Sequence, residues 1–335
     1  AVETGLFIGL LPTWGDKVTL NSWGKGPEIF NAENALAYGR YLGNRYKGLE
    51  NIIWINGGDR QVDDRTFPIW NALANGIKSV DQNHLMTFHP PGENTSSRWF
   101  HNQGWLDFNM SQTGHAQRSY SIYNLLLKKD YALKPVKPCL DGEPRYEDHP
   151  VRWMPGEFGW FYDVDVRQAA YWSLFSGAFG HTYGCHAIWQ MLTPDREPIG
   201  SGRNTWEKDL DLPGAQHMLY VRRLMESRPL TDRIPFQEII KNEYMPETDY
   251  LVATRGKDYV FVYIPTGLTA KLDLGLCAWK KAGCWWYNPR TGEATAAGKI
   301  VTAGLKEFAP PTRGLGNDWV LVVDNAEAGF GAPGK

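Results

Sequence analysis

Residues 51–59 read NIIWINGGD, four strongly apolar positions followed by Asn56, a pair of glycines and Asp59. Such a run is typical of a buried strand, and two successive glycines let the backbone turn sharply and present the next side chain. A second apolar run, Pro138–Leu140, leads through Asp141 and one glycine to Glu143. Where strands alternate with helices, residues that follow the carboxyl ends of the strands converge on one mouth. The sequence therefore predicts that Asp59 and Glu143 serve one site.

Between residues 5 and 226, strand-like apolar runs alternate with amphipathic segments. Strands are predicted at residues 6–11, 52–55, 85–88, 106–110, 137–140 and 185–190. Val166, Ala170 and Leu174 step by four along one helical face, and Thr66 is a predicted N-cap with Pro68 in the first turn. This alternation predicts an α/β fold, a (β/α)8-type barrel with its helices outside. Because only six strands are found, we expect the first two strand–helix units of the barrel to be absent from this chain.

After residue 232, short apolar runs separated by turn residues replace the alternation. These runs occupy residues 250–254, 259–264, 271–274, 284–287 and 319–323. Short strands at this spacing indicate a small antiparallel β-sandwich. We therefore expect an N-terminally incomplete barrel domain over residues 1–230, a sandwich over residues 231–326 and a flexible tail over residues 327–335.

Composition limits the classes of partner. The 35 basic and 37 acidic residues give a net charge of −2, which offers no electrostatic reason to expect nucleic acid or an anionic membrane as a partner. No run of apolar residues is long enough to predict a transmembrane helix. The chain contains 15 Trp, 16 Tyr and 14 Phe. We expect about a quarter of the Trp rings to line a carbohydrate site, where they would stack on the apolar faces of sugars.

The four cysteines have no spacing that is typical of metal ligands. Cys139 and Cys185 lie in apolar runs and are expected to be buried thiols. Cys277 and Cys284 could pair across a hairpin, and this alternative stays open. The cysteines do not indicate a cellular compartment.

Two carboxylates at one site are what the cleavage of a glycosidic bond requires. We predict a retaining glycoside hydrolase in which Asp59 is the acid/base and Glu143 is the nucleophile. The alternatives are that Asp59 only stabilises a turn and that Glu147, four residues beyond Glu143, is the acidic group of the site. Asp141 could support the site from behind.

Several other side chains are predicted to surround these carboxylates. The residues expected to contact the substrate are Trp14, Trp54, His89, Gln112, His115, Glu147, Trp189 and Gln190. Trp14, Trp54 and Trp189 would also form an apolar wall that raises the pKa of the acid. A structural role for Trp14 or for either histidine is the alternative. No metal or cofactor is predicted, because no two histidines are spaced as ligands on one helix.

The chain resembles the apiosidase-like family, glycoside hydrolase family 140. The matching segments are residues 5–14, 53–59 and 137–147 in the predicted barrel, and 286–293 and 317–321 in the predicted sandwich. The resemblance implies an eight-stranded barrel with its acid/base aspartate after strand four and its nucleophilic glutamate after strand seven. Asp59 and Glu143 would occupy these positions if the first strand here is the family's third. The family's substrate-contacting residues at its first strand would then be absent.

The resemblance also implies an activity and a location. Family members cleave linkages at apiose in the side chains of a complex plant pectin, outside the cytoplasm, and carry a small sandwich labelled as collagen-binding. We therefore expect an oligosaccharide or polysaccharide as one partner. A second expected partner is the barrel segment that is absent from this chain. The alternatives are a noncatalytic carbohydrate-binding or scaffold protein, and a barrel hydrolase of another sugar.

Overall fold

The computed structural model of the chain describes residues 1–20, 23–118 and 121–335. The chain divides into two compact units. Unit 1 comprises Ala1–Thr113 and Lys128–Gly142, and unit 2 comprises Gly114–Leu127 and Glu143–Lys335. None of the helices within the described ranges has the length and apolar character needed to cross a membrane.

Unit 1 alternates strands with helices. Its elements are β1 (Ile8–Leu10), α1 (Ala32–Tyr46), β2 (Ile52–Gly57), α2 (Phe67–Lys78), β3 (Met86–His89), β4 (Asn94–Thr95), α3 (Ser97–Phe100), β5 (Asn109–Gln112) and β6 (Cys139–Asp141). β1, β2 and β3 pair in parallel in that order. β5 and β6 also pair in parallel, and β4 runs antiparallel to β5. The predicted strand–helix alternation is thus present in unit 1.

Two hydrogen bonds connect β3 with the segment that enters β5. The Asp107 N–H donates to Met86 O at 2.9 Å, and the Thr87 hydroxyl donates to Phe108 O at 2.7 Å. β3 therefore lies beside this segment. The strands β1, β2 and β3 and the segment that enters β5 thus follow one another in space in the same order as in the chain.

Helix α2 begins where the sequence predicted. Thr66 occupies the N-cap position and a proline lies in the first turn. The Thr66 side chain does not cap the helix itself. Instead, the Asp63 N–H donates to Thr66 Oγ1 at 3.0 Å, and the Thr66 N–H donates to Asp63 Oδ1 at 2.8 Å. This reciprocal pair fixes the turn that precedes α2.

The first part of unit 2 is mostly helical. Its elements are α4 (Ser121–Leu125), α5 (Pro155–Phe158), α6 (Asp163–Phe175), β7 (Gly180–His181), α7 (His186–Trp189), α8 (Trp206–Asp209) and α9 (Pro213–Glu226). Along the chain, a π-helical segment, Leu126–Asp130, follows α4.

The predicted strand over residues 185–190 is wrong. Cys185 has extended backbone angles, but the Trp189 N–H donates to Cys185 O at 3.1 Å and closes a helical turn, α7. A short apolar run fits a buried strand and a buried helix equally well, so its apolar character could not distinguish them. The strand of this region, β7, lies four residues earlier.

The second part of unit 2 is built from antiparallel strands, as predicted. They are β8 (Ile234–Pro235), β9 (Val252–Arg255), β10 (Tyr259–Ile264), β11 (Ala270–Asp273), β12 (Lys281–Tyr287), β13 (Ala294–Val301), β14 (Leu305–Phe308) and β15 (Trp319–Asn325). Six form a sheet in the order β13-β12-β15-β10-β9-β8, and β11 pairs with β14. Val262 of β10 and Leu272 of β11 belong to one buried cluster, so the two sheets share a core.

All four cysteines are free thiols, so Cys277 and Cys284 do not form the disulfide considered from the sequence. The prediction that Cys139 and Cys185 are buried is confirmed. Burial raises the pKa of each of these two thiols to about 12, so neither is a thiolate near neutral pH.

Two buried ion pairs join the helices of unit 2 to its sheet. Arg167 of α6 donates to Asp318, just before β15, through Nε at 2.9 Å and Nη2 at 2.7 Å, and both side chains are completely buried. Arg228, just after α9, makes a similar pair with Asp324 and also donates to Gly331 O at 2.9 Å. The sheet is therefore fixed to α6 and α9.

We expect Asp318→Asn to lower the free energy of unfolding by about 3 kcal/mol, because the buried guanidinium of Arg167 would keep only the partly exposed Asp163 as a charged partner. Chemical denaturation of the purified chain measures this loss. Glu226→Gln is the matched control, since it breaks an ion pair with Arg222 whose side chains are 72% and 52% exposed. Equal losses in the free energy of unfolding would show that the buried Arg167–Asp318 pair stabilises the fold no more than an exposed ion pair does.

Candidate active site

In unit 1, Asp59 stands on a left-handed turn at the carboxyl end of β2. Gly57, Gly58 and Asp59 have φ angles of +96°, +121° and +63°. A Cβ on Gly58 would lie 2.6 Å from the Gly15 nitrogen and 3.0 Å from the ring of Trp14, so only glycine fits there. Aspartate is one of the few other residues that tolerate such angles. The Gly-Gly-Asp sequence thus sets the direction of the half-buried Asp59 side chain.

Trp14 and His89 lie beside this turn. Their ring centroids are 5.7 Å apart, and the Gly58 N–H donates to His89 O at 3.2 Å. His89 ends β3 and is buried, whereas Trp14 is half-buried. Unit 1 therefore brings together three of the predicted residues, Asp59, Trp14 and His89.

Arg60 fixes the other side of the turn. Its buried guanidinium donates to Thr19 O at 3.0 Å and lies 4.8 Å from the ring of Trp23. Burial lowers the pKa of Arg60, and the nearby negative charge of Asp59 opposes this shift. Neither Arg60 nor Trp23 was predicted as a site residue.

Two further residues of unit 1 lie in its interior. Gln112 ends β5, is buried, and its Oε1 has no hydrogen-bond partner within the described part of the chain. That amide oxygen could accept a hydrogen bond from a sugar hydroxyl. Asp141 is completely buried and accepts hydrogen bonds from Thr113 Oγ1 at 3.0 and 3.2 Å. Its position is internal, as its predicted supporting role requires.

The predicted substrate contact of Trp54 is wrong. Its ring is completely buried in a core that includes Trp70 and Ile77 of α2, and its Nε1–H donates to Asp81 at 2.9 Å. Alternate residues of a strand face opposite sides of the sheet, and Trp54 is on the side that α2 covers. A sugar cannot reach this ring.

In unit 2, Glu143 pairs with His115. His115 Nε2 lies 3.1 Å from Glu143 Oε1, and the Glu143 side chain is 12% exposed. The Gly114 N–H donates to Glu143 O at 3.1 Å, which holds the two chain segments together. A carboxylate oxygen accepts a hydrogen bond from the Nε2–H tautomer of the imidazole at this distance.

Behind His115, two more histidines complete what we call the histidine row, His115, His149 and His186. The ring of His149 stacks on His115 at 4.2 Å and meets the edge of His186 at 4.5 Å. The His149 Nδ1–H donates to Pro150 O at 2.7 Å. Burial, together with the neighbouring imidazoles, lowers the pKa of His149 to about 2. His149 is therefore neutral at physiological pH.

Glu147 has a structural role instead of the predicted contact with substrate. It is buried, its Oε2 accepts from the Tyr183 hydroxyl at 2.6 Å, and its Oε1 accepts from the Gly214 N–H at 3.1 Å. Gly214 lies in the first turn of α9, where a carboxylate is favourable. Burial raises the pKa of Glu147, and the Tyr183 hydrogen bond opposes the rise.

Trp189 and Gln190 lie at the end of α7 and not at a strand end. Trp189 is 45% exposed, and its Nε1–H donates to His186 Nδ1 at 3.2 Å. The Gln190 amide is used within the protein: its Nε2 donates to His186 O at 3.0 Å, and its Oε1 accepts from the Ile199 N–H at 2.9 Å. Trp189 can meet a ligand, whereas the Gln190 amide supports the local chain.

Trp153 was not predicted as a site residue. It is 48% exposed, and its ring lies 4.4 Å from the ring of His149. It follows no strand-like run, so its position along the chain carried no signal.

Two family models together match nearly the whole chain. Residues 1–232 match the family described as "Apiosidase-like, catalytic domain", and residues 234–324 match "Putative collagen-binding domain of a collagenase". No curated protein matches the chain.

Solved structures are also similar. A protein described as a glycoside hydrolase is 37% identical with a TM-score of 0.90, over 98% of this chain and 75% of that one. A glycoside hydrolase family 5 protein from Bacteroides vulgatus is 36% identical with a TM-score of 0.89, over 97% of this chain and 71% of that one. An alpha-amylase from Geobacillus thermoleovorans, 12% identical with a TM-score of 0.56 over 96% and 72% of the two chains, shares the fold alone. This chain belongs to the apiosidase-like family of glycoside hydrolases.

Proposed function

We propose that the chain is a retaining glycoside hydrolase with Asp59 as acid/base and Glu143 as nucleophile. The observation that carries this proposal is the family match over residues 1–232, which includes a carboxylate just after each of the parallel strands β2 and β6. Each carboxylate has a local environment suited to a reactive group. Asp59 is presented by the left-handed Gly-Gly-Asp turn beside Trp14, and Glu143 receives a hydrogen bond from His115.

The two carboxylates divide the chemistry between them. Glu143 attacks the anomeric carbon while Asp59 gives its proton to the leaving oxygen, so the glycosidic bond breaks and a glycosyl ester forms on Glu143. Asp59, now ionised, then takes a proton from water. The resulting hydroxide equivalent attacks the anomeric carbon and releases Glu143.

We propose an oligosaccharide of plant cell-wall pectin as the substrate, with apiose linkages favoured by the family match, and a location outside the cytoplasm. The parallel strands of unit 1 support a (β/α)8-type barrel to which further strands would contribute. The matches over residues 1–232 and 234–324 support a barrel domain ending near residue 230 and a sandwich domain after it. The flexibility of residues 327–335 stays a prediction.

Matched amide substitutions test the assignment of the nucleophile. We expect Glu143→Gln to abolish turnover at every pH, because an amide cannot form the glycosyl ester. Glu147→Gln should retain activity, because its amide oxygen can still accept one of the two hydrogen bonds. Product release from pectic oligosaccharides and from a panel of nitrophenyl glycosides measures both. Loss of turnover in Glu147→Gln alone would reverse the assignment.

The folding stability of Glu147→Gln supplies an independent measurement. The pKa of Glu147 is raised above 4.5 in the folded chain, so the folded state binds more protons than the unfolded state just above that pH. The free energy of unfolding therefore falls as the pH rises through this window. The substitution removes this titration, so the stability of the variant relative to the parent should increase with pH above about 4.5. A difference that is independent of pH would contradict a raised pKa of Glu147 in the folded chain.

Leaving groups of different basicity test Asp59. We expect Asp59→Asn to slow the hydrolysis of natural sugar linkages by at least about a hundredfold, because those leaving oxygens need protonation. Activated aryl glycosides should lose far less, since nitrophenolate leaves without a proton. Asparagine also tolerates the left-handed backbone at this position, so the turn is retained. Equal losses for both classes of substrate would remove Asp59 from the role of acid.

A further inference from the structure

Two exposed tryptophans flank one buried histidine in unit 2. Trp153 and Trp189 are 48% and 45% exposed, whereas His186 between them is completely buried. Both indole centroids lie 5.9 Å from the His186 ring, so they cannot be further apart than twice this distance. Large exposed rings that are close together commonly mark a binding surface.

His186 fixes the orientation of the Trp189 ring. Its Nδ1 accepts the indole N–H of Trp189 at 3.2 Å, and its Nε2–H donates to Ile199 O at 3.0 Å and Gly200 O at 3.2 Å. Burial lowers the pKa of His186, and the neutral ring is the form that can accept from one side and donate to the other. The orientation of Trp189 is therefore set before any ligand binds.

Gly200 in turn supports Trp153. A Cβ at Gly200 would lie 2.1 Å from Trp153 Cζ3, so the indole packs directly on the glycine backbone. Arg152 and Trp153 themselves have φ angles of +56° and +61°. Such angles are unfavourable in non-glycine residues and persist where the surroundings enforce them. The protein thus holds the exposed indole of Trp153 on a strained backbone.

We infer that Trp153 and Trp189 form a carbohydrate-binding platform for sugar residues beyond the cleaved bond. Flat rings held in fixed orientations stack on the apolar C–H faces of sugars with little loss of side-chain entropy. The occupant is a further part of the oligosaccharide chain and not the sugar that reacts.

The platform is connected to the proposed nucleophile through the histidine row. His115 contacts Glu143 at 3.1 Å, His149 stacks on His115 at 4.2 Å, and Trp153 contacts His149 at 4.4 Å. A saccharide whose reacting bond lies at Glu143 can therefore reach Trp153 within a few sugar residues. This inference rests on the proposed function, because it assumes that Glu143 marks the point of cleavage.

Binding without cleavage provides the first test. In the Glu143→Gln background, the affinity for size-fractionated pectic oligosaccharides is measured by calorimetry. We expect Trp153→Ala to weaken binding by about tenfold and Trp153→Phe to retain part of the affinity. Gly200→Ala should weaken binding too, because the added methyl group displaces the indole. Tyr244→Ala is the control, since this ring is 78% exposed and lies outside the platform.

Chain-length dependence of turnover provides the second test. In the active chain, the loss of kcat/KM in Trp153→Ala should be about tenfold greater for long oligosaccharides than for nitrophenyl glycosides. Equal losses for both substrates, or binding that Trp153→Ala leaves unchanged, would overturn the platform. A Glu143→Gln chain that binds none of the oligosaccharides would overturn it as well. An active parent chain with equal losses disproves the platform alone, whereas a parent that cleaves no glycoside disproves the proposed function.

Discussion

Unit 2 depends on the burial of α6, because this helix is covered on all sides and carries polar residues that must be paired. Arg167, completely buried, is held by Asp318 from the edge of β15. Gln168 donates to Thr248 O at 2.8 Å and accepts from Arg145 at 2.9 Å. A buried charge or amide without a partner costs several kcal/mol, so these contacts specify one arrangement of the helix and the sheet.

This constraint extends to the proposed active site. Arg145 lies only two residues after Glu143 in the chain, and it also donates to Asp165 O at 3.2 Å. The helix that anchors the sheet thus also anchors the segment that carries Glu143, the proposed nucleophile. The sheet domain, although it matches a collagen-binding description, therefore contributes to the packing of the α/β part. Its structural contribution follows from the contacts of Asp318 and needs no separate ligand.

The parts of the fold that could be predicted are those where burial leaves an unmistakable pattern. β2, β3 and β10 are apolar runs bounded by turn residues and were found within two residues of their ends. β13 was missed because most of its side chains are exposed and its sequence, ATAAGKIV, carries little apolar signal. Residues 185–190 were assigned to the wrong element because the run is too short for its apolar pattern to reveal a helical period.

The candidate site likewise contains residues whose positions could be predicted from the sequence and residues whose positions could not. Gly57 and Gly58 predicted a turn that presents Asp59, because their sequence reports a backbone requirement directly. Trp54 and Glu147 could not be separated from substrate-facing residues, because only the tertiary structure shows that α2 covers one and that α9 uses the other. Trp153 gave no signal at all, since its position depends on packing against Gly200, 47 residues later in the chain, as well as on the nearby ring of His149.

Left-handed backbone angles carry different information at Asp59 and at Trp153. Aspartate reaches a left-handed conformation at modest cost, so the angles of Asp59 alone say little about its role. An indole, unlike a carboxylate, offers the neighbouring backbone no acceptor that would favour this conformation, yet Trp153 adopts it together with Arg152 and stays about half exposed. Folding alone would favour a relaxed backbone and a buried indole at this position. A strained and exposed ring is therefore better explained by what it binds than by what it stabilises.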